Sequence, residues 1–347
     1  MTRERLYGLV DRFPSIAVAV IGDFFLDDYL ILDPALSEVS LETGLEAYQV
    51  VDKRPSPGAA GTVSSNLAAL RVGRILALGA TGDDGHGYDL RKGLVARGID
   101  TSHLLVVGSL FTPTYTKPML WDSSAPGGER ELNRMDVKWR GPTPADVEDR
   151  IIAELDAVLP EVGAVIIADQ VQERNRGVIT DRIRDFLADR AGRYPDTVFF
   201  ADSRTRIGEF RRVIIKPNAG EAARHLGAEA DPERGAVDQA AEHAARLALR
   251  TGRPVFVTLG ANGILVYEDG RATHVPAIPV EGPIDIVGAG DSTVAGAVSA
   301  LSVGATCPEA ALVGNLVASI TIQQLGTTGT ATPEQVKQRF DEAFATP

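Results

Sequence analysis

The chain has 347 residues, 44% of them apolar, and 47 acidic against 35 basic side chains give a net charge of −12. That acidic balance argues against nucleic acid or an anionic membrane as the main partner, although a local pocket can still be positive. The length suits one large α/β unit, no apolar run approaches a bilayer span, and the single Cys307 excludes an internal disulfide and suits a reducing compartment. In chain order, Met1 to Phe13 reads as a short surface helix without the apolar core of a signal peptide, so a cytoplasmic protein is expected. Ser15 to Ile21 is a β-branched run ending in Gly22-Asp23, which sets a carboxylate at the C-terminal end of a strand, where parallel sheets bind ligands. Asp27 and Asp28 follow, and Asp28 reads as a solvated turn or cap.

Tyr29 to Val51 carries short alternating segments, such as Leu45, Ala47 and Gln49, that suit a small sheet, and Leu104 to Arg134 forms a second such region. Between them, Pro57-Gly58-Ala59-Ala60-Gly61 opens a helix through Asn66, Leu67 and Leu70. A strand at Ile75 to Leu78, a glycine-rich turn and a helix with Leu90, Leu94 and Val95 come next. After Pro144, helices at Ala145 to Val158 and Gly177 to Ala191 alternate with strands at Ala164 to Ala168 and Val198 to Ala201, the pattern of a parallel sheet covered on both faces. Each of these strands ends in a carboxylate, Asp169 and Asp202, which is also an ordinary turn or cap residue.

Strand Val213 to Ile215 runs into Lys216-Pro217-Asn218-Ala219-Gly220-Glu221, where Asn218 and Glu221 have the spacing of a capping box. Strand Pro254 to Thr258 leads through Leu259-Gly260-Ala261-Asn262-Gly263 into Ile264 to Tyr267, compatible with a hairpin turn. The stretch that organises the chain is Asp285-Ile286-Val287-Gly288-Ala289-Gly290-Asp291, followed by the amphipathic spacing Val294, Ala297, Val298 and Leu301. A glycine loop feeding a helix N-terminus favours an anion, and Gly288 and Gly290 let a phosphate approach the backbone. Asp291 in the first turn either caps the helix or accepts a proton from a group attacking that phosphate. Leu312, Leu316, Ala318, Ser319 and Ile320 share a helix, and Pro333 to Phe344 is a final amphipathic helix.

The order Asp285-x-x-Gly288-Ala289-Gly290-Asp291 resembles the C-terminal signature of the ribokinase-like (PfkB) carbohydrate kinases. The resemblance extends from about Ile16 to Thr332 and includes Gly58 and Asn66, the Gly79 to Gly85 phrase with Gly98-Ile99-Asp100, and Leu325-Gly326-Thr327. Thr112-Pro113-Thr114-Tyr115-Thr116-Lys117 and Arg130 to Asp136 look most like the heptose 7-phosphate kinase branch, and Asp169 and Asp202 are similar to that branch's "SDY" and "DP" segments. The chain departs from the pattern at Ala59, where many members have a second glycine, at Thr62, where an asparagine is expected, and at Ser40-Leu41-Glu42, which matches "SPE" only in part. No match to the nucleotidyl-transferring domain fused in many members of that branch is seen.

The resemblance implies a ribokinase-like α/β fold, a parallel sheet with helices on both faces, as one kinase domain over 1–347 with a β lid from about 29–56 and 104–135. It implies Asp291 as general base, with the Gly288, Ala289 and Gly290 amides on the transferring phosphoryl group. Asp23 is the first candidate for sugar hydroxyls, joined by Asp27, Gly58, Thr62 and Asn66, with Lys117 and Arg134 toward a sugar phosphate. Asn218 and Glu221 would organise the waters around Mg²⁺ and the ATP phosphates, and Asp285 would hold a monovalent cation such as K⁺. Thr258, Gly260 and Gly263 would border the nucleotide, with Asn315 and Ser319 on the adenine wall. A homodimer through the lid is expected, since exposed lid strands need covering. Ribokinase-type and fructokinase-type acceptors, and a non-catalytic sugar- or nucleotide-binding regulator on the same scaffold, stay open.

Overall fold

A computed structural model describes residues 1–122, 128–228, 234–326 and 328–344. Thr327 and the 123–127 part of the expected lid segment lie outside the described residues. The main sheet has nine strands in the order Arg271–Val275, Ile264–Glu268, Val255–Thr258, Ile214–Ile215, Val198–Ser203, Ala164–Asp169, Ala17–Gly22, Arg74–Gly82, Leu104–Val107. The pairings are parallel except at the two junctions beyond Val255–Thr258, which are antiparallel. Central strands such as Ala164–Asp169 are buried along their whole length, as a sheet covered on both faces requires.

One face packs under the helices Arg3–Val10, Ala60–Ala69, Ala289–Ser302, Cys307–Thr321 and Pro333–Phe344. The other packs under Ala145–Val158, Asp181–Arg193, Ala219–Leu226 and Ala236–Thr251. The N-terminal helix lies against the core rather than loosely on the surface, because Leu6, Leu9, Val10 and Phe13 form one apolar stripe that is fully buried. The sheet runs in one direction from Ala17–Gly22 through Arg74–Gly82 and in the other through Ala164–Asp169. Such a reversal of strand order opens a crevice beyond the carboxyl ends, where ligands bind.

The second sheet, ordered Met135–Val137, Thr114–Trp121, Phe24–Leu32, Val50–Ala59, with Glu129–Glu131 on Thr114–Trp121, stands beyond those carboxyl ends. Its central strand starts at Phe24, one residue after the main sheet releases the chain. Asp28 is therefore neither a solvated turn nor a cap; it sits mid-strand and is 7% exposed. Asp27, Tyr115 and Asp136 fall in one row across three paired strands, so their side chains share a face.

Gly22 makes the crossing between the sheets feasible: at φ 157, a side chain there would collide with the Ala168 carbonyl, to which Asp23 N also donates at 3.2 Å. Ala59, at the N-cap of Ala60–Ala69, has φ 54 and ψ −117, a conformation that a side chain disfavours. This is the position where the resembling kinases often carry glycine. Relief of that strain outweighs the extra freedom glycine gains when unfolded, so Ala59→Gly is expected to raise stability by about 1 kcal/mol. Urea unfolding checks it: a higher midpoint at unchanged slope is the expected result, and a lower midpoint counts against strain at this site.

Candidate active site

The helix Ala289–Ser302 begins at Gly288, whose φ of 79 aims the first amides outward over the crevice, and Asp291 sits in its first turn. Asp291 is partly exposed at the crevice floor. Surrounding protein pushes its carboxyl up to about 7, and Asp202 adds to the rise, while Lys216 and Arg204 oppose it and Asp27 contributes from the small sheet. At that value the group is a proton acceptor near neutral pH.

Beneath this loop lies a cation to which the sequence pattern assigns no role. Lys216 is 4% exposed and its Nζ pairs with Asp202 Oδ2 at 3.2 Å. A side-chain carbon built at Gly290 would lie 3.6 Å from that Nζ, which places the ammonium against the glycine turn. Burial alone would lower the Lys216 ammonium, but Asp202, Glu221 and Asp291 more than compensate and hold it above its ordinary value. The signal in the sequence is a lysine set directly after a short buried strand, a poor place for a charge with no partner.

The capping-box alternative is realised: Asn218 N donates to Glu221 Oε2 at 2.8 Å, and Glu221 N donates to Asn218 Oδ1 at 2.8 Å. Burial and then Asp202 raise the Glu221 carboxyl, which keeps one oxygen free of the cap. Asp285 is tied by its own amide to the Ile322 carbonyl at 2.8 Å and accepts from Val287 N at 3.0 Å.

A cavity of about 520 Å³ opens beside Ala289, Gly290 and Thr293, and Thr258, Gly260, Gly263, Asn315 and Ser319 all line it. Its other walls are largely apolar, among them Ile264, Ile278, Pro279 and Ile322. Asn315 Nδ2 donates to the Val275 and Pro276 carbonyls at 3.2 and 2.9 Å, so its Oδ1 is left to accept.

Asp23 is the clear departure from expectation. Its carboxylate accepts from Val178 N at 2.7 Å, Gln170 N at 3.0 Å and Val171 N at 3.1 Å, and it borders only a cavity of about 10 Å³. Burial and neighbouring Asp169 push it up to about 6 despite those donors. Fully engaged in holding the 170–178 segment, it has no oxygen turned to the crevice. Asp27, four residues on, is the carboxylate within electrostatic reach of Asp291. It packs against Gly58, where any side chain would strike Asp27 Oδ2.

Lys117 also differs from a free phosphate ligand: its Nζ pairs with Asp27 at 2.9 Å, donates to the Tyr29 hydroxyl at 3.1 Å and lies 4.6 Å from that ring's centre. Arg134 stacks 4.0 Å over Tyr115 and is bound by both oxygens of Asp136 at 2.6 and 2.9 Å. Thr62 reaches the glycine loop, its methyl 3.5 Å from a carbon built at Gly288. Asn66 donates to the Thr62 carbonyl at 3.0 Å, and its buried Oδ1 has no partner among the described residues. Asp169 and Arg206 form a buried pair at 2.6 Å that ties the carboxyl end of Ala164–Asp169 to the turn after Val198–Ser203. Among the described residues, no three His, Cys, Asp or Glu side chains gather as a metal cage, and no helix is long and apolar enough to cross a membrane.

Comparison with known proteins agrees with this geometry. The family model described as pfkB family carbohydrate kinase matches residues 212–335, the part that contains Lys216, Asn218, Glu221 and the glycine loop. The bifunctional protein HldE of Azorhizobium caulinodans is 28% identical over 314 residues, covering 89% of this chain and 61% of its own length. The chain thus spans less than two thirds of the length of that relative. Ribokinase from Arabidopsis thaliana, solved with ribose and ATP, superposes with a TM-score of 0.68 at 19% identity over 93% of this chain and 98% of its own. Phosphofructokinase-2 of Escherichia coli, solved with potassium, gives 0.70 at 16% identity over 94% and 99%. The fold is ribokinase-like.

Proposed function

From the premise that this chain carries a pfkB family carbohydrate kinase domain, we propose that it transfers the γ-phosphoryl group of ATP to a hydroxyl of a sugar or sugar phosphate, with a heptose 7-phosphate as the leading acceptor. The observation that carries the reading is a raised carboxyl, Asp291, in the first turn of a helix whose glycine N-terminus lies over the Lys216–Asp202 pair at the mouth of a nucleotide-sized cavity. Adenine occupies the apolar end between Ile264, Ile278 and Pro279, where Asn315 Oδ1 accepts from its amine and Thr258, Gly260, Gly263 and Ser319 close the wall. The triphosphate then runs toward Gly288, Ala289 and Gly290.

In the transfer step, Asp291 takes the proton of the acceptor hydroxyl as that oxygen bonds to the γ-phosphorus. The bond from phosphorus to the β–γ bridging oxygen breaks, and ADP leaves. Amides at the glycine turn and the Lys216 ammonium stabilise charge on the transferring group. Asp27 binds sugar hydroxyls in place of Asp23, beside Gly58, Thr62 and Asn66. Mg²⁺ suits the free oxygen of Glu221 through water, since such sites hold few protein ligands and rely on phosphate oxygens. Asp285 and its neighbouring carbonyls suit a monovalent cation.

The heptose 7-phosphate assignment rests on the Thr112 to Lys117 and Arg130 to Asp136 segments and on the HldE relatives. Exposed Val50 and Val51 on the small sheet, with exposed Val39, Leu41 and Leu45 in the segment leading into that strand, support a homodimer formed there, in the cytoplasm. ADP release with Mg²⁺, with and without K⁺, across a panel of sugars and of hexose, pentose and heptose phosphates tests the reading. Release with one heptose 7-phosphate well above the others is expected. Preference for a neutral pentose or hexose rejects the heptose assignment, and no acceptor-dependent release in the whole panel rejects the kinase.

A further inference from the structure

With no oxygen turned to the crevice, the buried Asp23 carboxylate has another use. The chain passes between the main unit and the small sheet at Asp23 itself, at Ala59 and Ala60, through 108–113 and through 138–144. Asp23 N donates to the Ala168 carbonyl at 3.2 Å, and the Asp23 carbonyl accepts from Ala60 N at 3.0 Å, so the first passage is pinned both to the main sheet and to the second passage. Its Oδ2 accepts from Gln170 N and Val171 N and its Oδ1 from Val178 N, which gathers both ends of the 170–178 segment. That segment in turn holds the last passage, since the Asn175 carbonyl accepts from Thr143 N at 2.8 Å and the Gly177 carbonyl from Thr143 Oγ1 at 2.7 Å. The 108–113 passage joins through Trp139 Nε1, which donates to the Phe111 carbonyl at 2.8 Å, and through Leu26 N, which donates to the Pro113 carbonyl at 2.9 Å.

This junction calls for a carboxylate. Three N–H donors converge on its two oxygens, and an amide side chain would turn an NH2 group toward some of them. Gly177 leaves the room, because a side-chain carbon built there would lie 2.6 Å from Asp23 Oδ1. Arg206 closes the other side of the segment, donating from one terminal nitrogen to the Gln172 carbonyl at 2.9 Å and from the other to Asp169 at 2.6 Å. Both halves of the site start from this junction. Asp27 follows on the strand Phe24–Leu32, and Thr62 lies in the first turn of the helix whose Ala60 amide Asp23 holds, with its methyl against the glycine loop.

We propose that Asp23 is a positioning residue: it locks the small sheet, and Asp27 with it, at a fixed separation from the glycine loop and Asp291, so that the phosphoryl group passes to the bound acceptor and not to water. The proposal rests on the kinase reading and adds to it the residue that aligns its two halves. In-line transfer needs the attacking oxygen about 3–3.5 Å from phosphorus, and a displacement of about 1 Å costs about 10²-fold. A small sheet free to shift loses that alignment and admits water. Water then bonds to the γ-phosphorus in place of the acceptor and gives its proton to Asp291, the bond to the β–γ bridging oxygen breaks, and inorganic phosphate forms instead of the ester.

The test measures ester and inorganic phosphate formed per ADP at pH 8, where Asp23 is ionised, for the parent, D23N and T143V, the last losing only the hydroxyl that holds Gly177. D23N is expected to lower ester formation by about tenfold to a hundredfold with ATP affinity unchanged, and to raise the ratio of phosphate to ester by about tenfold. T143V shifts that ratio the same way by less. A role in folding alone lowers both products together and leaves their ratio at the parent value, and that result overturns the proposal. If D23N does not fold, T143V decides by the same ratio. If the parent phosphorylates no acceptor, the kinase reading has failed by itself. The junction is then judged by the distance between spin labels on E131C in the small sheet and L249C in the helix Ala236–Thr251, both exposed positions, with buried Cys307 left in place and labelled chains diluted in unlabelled parent. A broader distance distribution in D23N or T143V than in the parent supports the lock, and an unchanged one refutes it.

Discussion

Asp291→Asn is expected to lower kcat by about three orders of magnitude while ATP binds as before, because the substitution keeps shape and burial and removes only the proton acceptor. Rapid-quench turnover beside ATP titration separates the two effects. The variant should also be at least as stable as the parent at pH 8. In the fold this carboxyl rises from 3.8 to about 7, so the folded state holds its proton more tightly than the unfolded chain. The resulting cost is absent below the unfolded value, grows as pH climbs between the two values, and is fully present above about 7. Asparagine removes that cost. A variant that loses turnover and stability together at pH 8 would point to a structural aspartate that caps its helix.

Lys216→Met is the second large effect. Loss of the ammonium under the glycine turn should cut kcat by about 10²-fold. It also removes a charge that holds the Asp291 carboxyl down, so the acid limb of kcat/KM, near pH 7 in the parent, moves upward. Stability falls as well, by about 3 kcal/mol, since Asp202 is left in a largely buried position with no partner. The double variant Lys216→Met/Asp202→Asn distinguishes these effects: it should recover stability and not turnover. Recovery of both would reduce Lys216 to a scaffold role.

Much of the architecture was legible because burial imposes period. Ala145–Val158 and Pro333–Phe344 have the bounds that their apolar spacing indicates, and the strand Ala164–Asp169 is apolar from Ala164 through Ala168 because both its faces are covered. The glycine loop stood out for a different reason, since few functions other than a close approach by an anion call for Gly288, Gly290 and a carboxylate in one turn.

What the sequence hid were choices made by tertiary contact. Asp23 and Asp27 both follow the first strand, and local pattern ranks the nearer one first. Only the 170–178 segment, more than a hundred residues away, supplies the three amides that take Asp23 out of the crevice. Asp28 interrupts the apolar pattern and so reads as a turn, yet the strand Phe24–Leu32 passes straight through it. Lys216 illustrates the same limit: a lysine after a strand acquires meaning only when Asp202 and Gly290 close around it. At Asn218 and Glu221 the capping box occupies one Glu221 oxygen and leaves the other open to a metal-bound water, so the two readings are compatible.

The central claim is phosphoryl transfer to a carbon-borne hydroxyl, and the direct measurement is product analysis by phosphorus NMR and mass spectrometry after incubation with Mg²⁺, ATP and each acceptor that stimulates ADP release. One new phosphate ester for each ADP formed is expected, with no free phosphate, and none of that product from Asp291→Asn. ATP converted to ADP and inorganic phosphate with no ester, whatever sugar is present, would contradict it.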